Sequence, residues 1–74
     1  MSNSEFKMYQ SFWALQEKFP ALYCLYLSPM RGRFILAKRD ESGHFSIRIF
    51  GGTPAKVTKV IENIFDGLPV ETAC

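Results

Sequence analysis

Residues 31–52 have the sequence RGRFILAKRDESGHFSIRIFGG, and this stretch determines the fold class. Two runs of alternating apolar and polar residues flank the polar segment DESG, which is typical of two antiparallel strands joined by a tight turn. A four-residue loop would pair Leu36 with Ile47 and Phe34 with Ile49. Because a slip by one residue would mix the two faces, the apolar pattern favours this register.

The predicted hairpin has one apolar face and one face rich in arginine. We expect helices to cover the apolar face, because an antiparallel sheet is commonly buried on one side and solvated on the other. The apolar face is predicted to contain Phe34, Leu36, Phe45, Ile47 and Ile49. The open face is predicted to present Arg33, Ile35, Arg39, His44, Ser46, Arg48 and Phe50, joined by Tyr23 or Tyr26.

Upstream of the hairpin, the sequence predicts a helix and then a first strand. Ser2 with Glu5 three positions later fits a capping box, and Pro20 marks a point by which the helix has ended. The helix is therefore expected over about residues 3–18. Residues 21–27, ALYCLYL, are rich in aromatic and aliphatic side chains and predict a strand that is apolar on both faces.

Downstream of the hairpin, the sequence predicts a second helix. Gly51 and Gly52 are expected to end the strand, Thr53 is a favourable N-cap, and Pro54 occupies the first helical position. Apolar residues then recur at spacings of three and four until Gly67, which supplies a stop. The helix is therefore amphipathic, with one side available to the sheet.

Together these elements predict a single small α+β domain over residues 1–74. Its expected order is α-β-β-β-α, with a three-stranded antiparallel sheet and both helices packed on one face. Residues 69–74 are expected to form a flexible tail.

Composition excludes several classes of protein. The two cysteines, Cys24 and Cys74, do not form the dense framework of a small secreted scaffold. The N-terminus lacks the pattern of a signal peptide, and no apolar run is long enough to span a membrane. We therefore expect a cytoplasmic protein.

The charge is unevenly distributed along the chain. The net charge is +2 with a pI near 8.7, which is below the value above about 9 that marks a dedicated nucleic-acid binder. Residues 31–59 hold seven basic and two acidic side chains, a net charge of +5, whereas the rest of the chain carries −3. The molecule is thus polarised in sequence.

Catalytic and metal-binding patterns are not recognisable. His44 is the one histidine, so a site built on paired histidines has no second member. Cys24 lies in an apolar strand without a cationic neighbour in sequence, which favours a structural thiol over a nucleophile. Asp40 and Glu41 are explained by turn chemistry. We therefore expect no enzyme activity, no metal and no cofactor.

A basic surface is one candidate binding site. The segment GGTPAK combines a helix N-terminus with cations, which suits an anion, although a plain N-cap explains it as well. Arginines interleaved with aromatic residues on the open face suit phosphate contact and base stacking, although a solvated face explains them as well. Nucleic-acid or anion contact would involve Arg31, Arg33, Arg39, Arg48, Lys56 and Lys59.

The order of elements resembles a known family. Helix, three strands and helix is similar to the order in double-stranded RNA-binding domains, and Lys56 and Lys59 fall near the basic cluster that opens that family's last helix. The segment SPMRGRF differs from the family's Gly-Pro-x-His loop, and KVTK differs from its consecutive-lysine motif. The resemblance is therefore one of topology, and it implies RNA contact only by analogy.

The first helix is the other candidate. Phe6, Tyr9 and Trp13 follow the i, i+3, i+7 spacing of anchors in grooves and dimer seams, and aromatic residues are enriched in hot spots. Core packing against the second helix is the alternative explanation for the same spacing. The sequence therefore predicts a small non-enzymatic binding protein, a regulator or inhibitor that contacts a protein partner or another copy of itself. Nucleic-acid binding is the alternative, and a subunit of a larger assembly is a third class.

Overall fold

A computed structural model describes residues 2–29 and 32–68. The described part contains α1 (Asn3–Lys18), β1 (Tyr23–Leu27), β2 (Phe34–Lys38), β3 (Ile47–Gly52) and α2 (Pro54–Phe65). The strands form one antiparallel sheet in the order β1-β2-β3. The predicted α-β-β-β-α fold is confirmed, whereas the predicted tail at 69–74 falls outside the described residues.

Helix α1 has the predicted bounds because its ends are specified locally. The Ser2 hydroxyl accepts a hydrogen bond from the Glu5 backbone N–H at 3.2 Å, as expected for an N-cap. After the helix, the Leu22 N–H donates to the Phe19 carbonyl at 3.3 Å, and Ala21 adopts a left-handed φ of 59°. This turn reverses the chain, so that β1 runs back along the helix.

Helix α2 also begins and ends as its local sequence predicts. The Thr53 hydroxyl accepts from the Lys56 N–H at 3.4 Å. At the other end Gly67 has a φ of 71°, its N–H donates to the Ile64 carbonyl at 3.2 Å, and the Leu68 N–H donates to the Asn63 carbonyl at 2.9 Å. These two bonds form a Schellman motif, which needs a left-handed residue that glycine supplies without a steric penalty.

The core lies between the two helices and one face of the sheet. The backbone of α1 lies nearest β1 and α2, whereas α2 also lies over β2 and β3. This confirms that both helices cover the same face. The core consists of Met8, Phe12, Leu15, Tyr23, Phe34, Leu36, Ile49, Val57, Val60 and Ile61.

The register between β2 and β3 differs from the predicted one. Leu36 lies opposite Phe50, and Lys38 lies opposite Ile47, with an irregularity between Leu36 and Ala37. Ile49 is the extra residue of a bulge at this point, and its side chain is buried in the core. The predicted pairs of Leu36 with Ile47 and of Phe34 with Ile49 are therefore wrong.

The changed register moves several side chains to other positions. Phe45 and Ile47, predicted to be in the core, are 39% and 44% exposed. Phe50, predicted on the open face, packs against the core, and Ile35, predicted to face solvent, is only 2% exposed. The strand also includes both Gly51 and Gly52, so the glycines do not break it before the helix as predicted.

The side chain of Asp40 explains why the third strand starts late. The Asp40 N–H donates to the His44 carbonyl at 2.7 Å, and the Asp40 carboxylate accepts from the backbone N–H groups of Ser42 at 2.9 Å and His44 at 3.0 Å. It also accepts from the Ser46 hydroxyl. These bonds hold residues 44–46 in a loop, so His44 and Ser46 do not belong to the open sheet face.

Candidate functional site

The structure separates the three aromatic residues that were predicted to form a binding stripe. Phe6 is 55% exposed and Trp13 is 66% exposed. Tyr9 is partly buried, and its ring meets the Phe34 ring edge-on, with centroids 6.2 Å apart at 87°. Tyr9 therefore fixes α1 to the sheet, while the other two aromatic side chains remain at the surface.

The exposed aromatic residues lie on the side of α1 that faces away from α2. Ser4 and Lys7 line a depression together with Thr58 of α2, so this side of α1 faces the other helix. At about 100° per residue, Ser4 and Trp13 project from opposite sides of the helix. Phe6 lies one heptad before Trp13 and shares its side. The aromatic flank thus lies beside the outer edge of β1.

Within residues 2–29 and 32–68, no strand pairs with the outer edge of β1, which is regular. The Arg39 N–H donates to the Leu22 carbonyl at 2.9 Å, and the Ser28 N–H donates to the Arg33 carbonyl at 2.7 Å. These two bonds show which residue pairs between β1 and β2 are hydrogen-bonded. In an antiparallel ladder hydrogen-bonded and non-hydrogen-bonded pairs alternate. The N–H and C=O groups directed away from β2 therefore belong to Tyr23, Leu25 and Leu27.

A shallow groove joins this edge to α1. Its volume is about 440 Å³, and its apolar lining includes Tyr9 from the helix together with Leu25, Leu27 and Phe34 from the sheet. Leu27 is 54% exposed at its rim. We call this region the α1–β1 surface, defined by Phe6, Tyr9, Trp13, Leu25, Tyr26 and Leu27.

Among the described residues of α1, the charged side chains on the side of the α1–β1 surface are acidic. Glu5 lines the groove, and Glu17 projects near Trp13 on the aromatic side of α1. The two cations of α1 lie on the other side. Lys7 faces the depression toward α2, and the Lys18 ammonium lies 3.5 Å from the Phe65 carbonyl of α2.

Sequence reasoning found the aromatic residues of α1 but missed the contribution of β1. Tyr26 and Leu27 are 47% and 54% exposed at the outer strand of the sheet. The signal was present in the sequence YCLYL, which contains no charge, proline or glycine of the kind that usually protects an edge strand.

The predicted basic residues that the structure describes lie at several places. Arg33 and Lys56 line a groove of about 550 Å³ with Phe50 and the N-terminus of α2. The Arg39 guanidinium lies 5.0 Å from the Phe45 ring centroid, next to the turn. Arg48 is opposite Ala37 on the open face, Lys59 is exposed on α2, and Arg31 lies outside the described residues.

The surroundings of two titratable groups singled out from the sequence shift their pKa values in opposite directions. Burial raises the pKa of the Cys24 thiol, and a hydrogen bond with the Ala37 backbone opposes this rise in part. Hydrogen bonds to Ser42, Ser46 and His44 hold the pKa of the Asp40 carboxyl well below its usual range. Within residues 2–29 and 32–68, no group of three His, Cys, Asp or Glu side chains has a metal-binding arrangement.

Two further observations concern the chain as a whole. In the part that the structure describes, neither helix combines the length and the apolar character needed to cross a membrane. Comparison of the chain with known protein families, with curated proteins and with solved structures found no match.

Proposed function

We propose that this protein is a non-enzymatic binding protein, a regulator or inhibitor, that contacts a protein partner through the α1–β1 surface. The observation that supports this function is the exposure of Phe6 and Trp13 on the flank of α1 beside the outer edge of β1. Aromatic side chains are enriched among hot spots of protein interfaces, where they supply much of the binding energy.

The apolar area at this surface supports the same function. Phe6, Trp13 and Leu27 are each more than half exposed, and large side chains of roughly 200 Å² then contribute about 300 Å² together. A patch of this size lies in the range of the largest on a typical monomer, which is often functional, and is more than about a third of one partner's share of a standard interface. Backbone groups of β1 add polar contacts at the same place.

The test begins with immobilised full-length protein. Proteins from the source cells that are retained by the wild type are compared with those retained by Phe6→Ser/Trp13→Ser, and a candidate partner is then purified and titrated calorimetrically. Loss of two aromatic hot spots predicts at least about 30-fold weaker binding by the double variant. Arg39→Ala/Arg48→Ala is the matched control, because it removes two exposed side chains from another part of the surface.

The outcome separates the alternatives clearly. The proposal is supported if Arg39→Ala/Arg48→Ala binds the partner as tightly as the wild type while Phe6→Ser/Trp13→Ser loses affinity. Equal affinity of the wild type and the aromatic variant contradicts it.

Nucleic-acid binding is the second candidate, favoured by the groove that brings Arg33 and Lys56 together beside the N-terminus of α2. Such binding depends mainly on phosphate neutralisation and is strongest at low salt. Titration with mixed-sequence duplex RNA and DNA at about 20 mM salt tests this function directly. Binding that is lost in Arg33→Ala/Lys56→Ala supports it, and absence of binding at low salt contradicts it.

A further inference from the structure

We infer that the partner contributes an extended, apolar segment with basic ends, which adds to β1 as a fourth antiparallel strand of the sheet. This inference rests on the proposed function and identifies the kind of partner that the α1–β1 surface fits. Three observations support it: the outward backbone groups of β1, the groove between β1 and α1, and the acidic side chains on the aromatic side of α1.

The two edges of the sheet differ in their ability to accept another strand. The edge of β3 is interrupted by the bulge at Ile49 and continues into Gly51 and Gly52, and bulges and irregularities of this kind discourage pairing. The β1 edge is regular over Tyr23–Leu27. Its outward groups at Tyr23, Leu25 and Leu27 are therefore the better template for strand addition.

Side chains of an added strand would meet the groove. In an antiparallel pair, residues opposite each other project to the same face. Partner residues opposite Leu25 and Leu27 would thus point toward α1, where the groove is lined by Tyr9 and Phe34. Phe6 and Trp13 lie only about 40–60° further round the helix from Tyr9. Alternate residues of the partner segment are therefore expected to be apolar.

The charge of the flank specifies the ends of that segment. Glu5 and Glu17 are separated by about 18 Å along the axis of α1, close to the length of about 17 Å for a five-residue strand. Glu5 lies at the groove near Leu27, and Glu17 lies in the last turns of α1, where the chain approaches the start of β1. Lysine or arginine at both ends of the segment would face these carboxylates.

A second copy of this chain fits the same edge poorly. Direct pairing of β1 with its copy would place the two strands about 4.8 Å apart. Because the backbone of α1 lies nearest β1, the two copies of α1 would come closer than the 8–10 Å that packed helices need. An extended segment without a helix above it avoids this clash.

A defined peptide tests the inference on the full-length protein. The probe is the capped peptide Lys-Thr-Ile-Thr-Ile-Thr-Lys, whose lysines and isoleucines share one face and whose charges are about 20 Å apart. Trp13 is the one tryptophan of the chain and is 66% exposed, so its emission reports the docking. We expect a saturable blue shift and slower hydrogen exchange at the amides of Leu25 and Leu27.

Matched peptides distinguish strand addition from nonspecific hydrophobic binding. In the antiparallel arrangement the isoleucine N–H groups point at β1, so methylation of these nitrogens is expected to abolish binding, whereas methylation of the internal threonine nitrogens leaves it unchanged. Replacement of both lysines by glutamate is expected to weaken binding about five- to tenfold, because two exposed ion pairs are lost and like charges are introduced.

Several results would overturn the inference. One is that the peptide methylated at its isoleucine nitrogens binds as tightly as the unmethylated peptide. Another is that Trp13 emission does not change up to millimolar peptide. A third is that sedimentation and hydrogen exchange show a dimer of this chain in which the β1 edge is buried. If a protein partner binds through Phe6 and Trp13 while exchange at Leu25 and Leu27 stays unchanged, strand addition fails and the proposed function stands.

Discussion

Gly51 lies opposite Ile35 in the sheet, and a Cβ at Gly51 would stand only 2.8 Å from the Cδ1 atom of Ile35. Ile35 is 2% exposed, so its side chain has little room to move. We therefore expect Gly51→Ala to lower the free energy of unfolding by about 1–3 kcal/mol, as overpacking does. Urea denaturation of the variant and the wild type measures this difference.

A second substitution, at Ile35, provides a control for this contact. Ile35→Val removes the Cδ1 atom and so creates space for a methyl group at position 51. Gly51→Ala is expected to cost less than about 0.5 kcal/mol in the Ile35→Val background. The same cost in both backgrounds would contradict the observed register and favour a pairing in which these residues are not neighbours.

The direction of the backbone groups in β1 is tested by two proline substitutions. Leu27 directs its N–H away from β2, whereas Tyr26 directs its N–H toward Ile35. Their side chains are exposed to similar extents. Leu27→Pro is expected to lower the free energy of unfolding by about 1 kcal/mol or less, because proline is tolerated where an edge N–H faces solvent. Tyr26→Pro is expected to lower it by about 3 kcal/mol or more, because it removes a hydrogen bond to β2. Thermal melts of both variants measure the two losses of stability. A larger loss for Leu27→Pro than for Tyr26→Pro would contradict the assignment of which β1 N–H groups face β2.

The exposed aromatic residues are expected to contribute little to folding. Phe6→Ser/Trp13→Ser should change the free energy of unfolding by no more than about 1 kcal/mol, since surface substitutions usually have small effects. Met8 lies on the same helix and is fully buried, so Met8→Ala is expected to cost about 2–5 kcal/mol. Denaturant titrations of the two variants make the comparison. A large loss in the aromatic variant would assign Phe6 and Trp13 to the core.

The Asp40 loop predicts a specific response to acid. Hydrogen bonds lower the pKa of Asp40 in the folded state, so the carboxylate stabilises the fold at pH values above the unfolded pKa of about 3.9. This stabilisation declines as the pH falls below that value. The Tm of the wild type should therefore fall more steeply between about pH 6 and pH 2 than that of Asp40→Asn. Parallel curves would show that Asp40 does not hold the loop.

The helices could be predicted from sequence because local residues specify their ends. The Ser2 cap and the Thr53 cap each use a side chain three residues from its donor. The glycine at position 67 likewise ends α2 through bonds within one turn. No information from the rest of the chain is needed for these boundaries.

The strand register could not be predicted because it depends on contacts that alternation does not reveal. The Asp40 side chain holds residues 44–46 in the loop, and the bulge at Ile49 adds one further residue to β3. Phe45 and Ile47 follow the alternating pattern but lie outside the core as a result. The close approach of Ile35 explains why glycine follows Phe50.

The candidate site was predicted only in part. The spacing of Phe6, Tyr9 and Trp13 left core and interface open, and the structure places Tyr9 against Phe34 and the other two at the surface. The edge of β1 emerged only once the order of the strands was known. Strand order is a property of the whole fold, which no single segment specifies.

The most direct test of the partner-binding role uses fluorine NMR of Trp13. The single tryptophan is replaced biosynthetically by 5-fluorotryptophan, and its ¹⁹F resonance is recorded for the free protein and for the complex with the purified, unlabelled partner. Burial of Trp13 in the interface predicts a shifted, broadened resonance that no longer responds to exchange of solvent from H₂O to D₂O. An unchanged, solvent-sensitive resonance in the fully formed complex would contradict a role for the α1–β1 surface in partner binding.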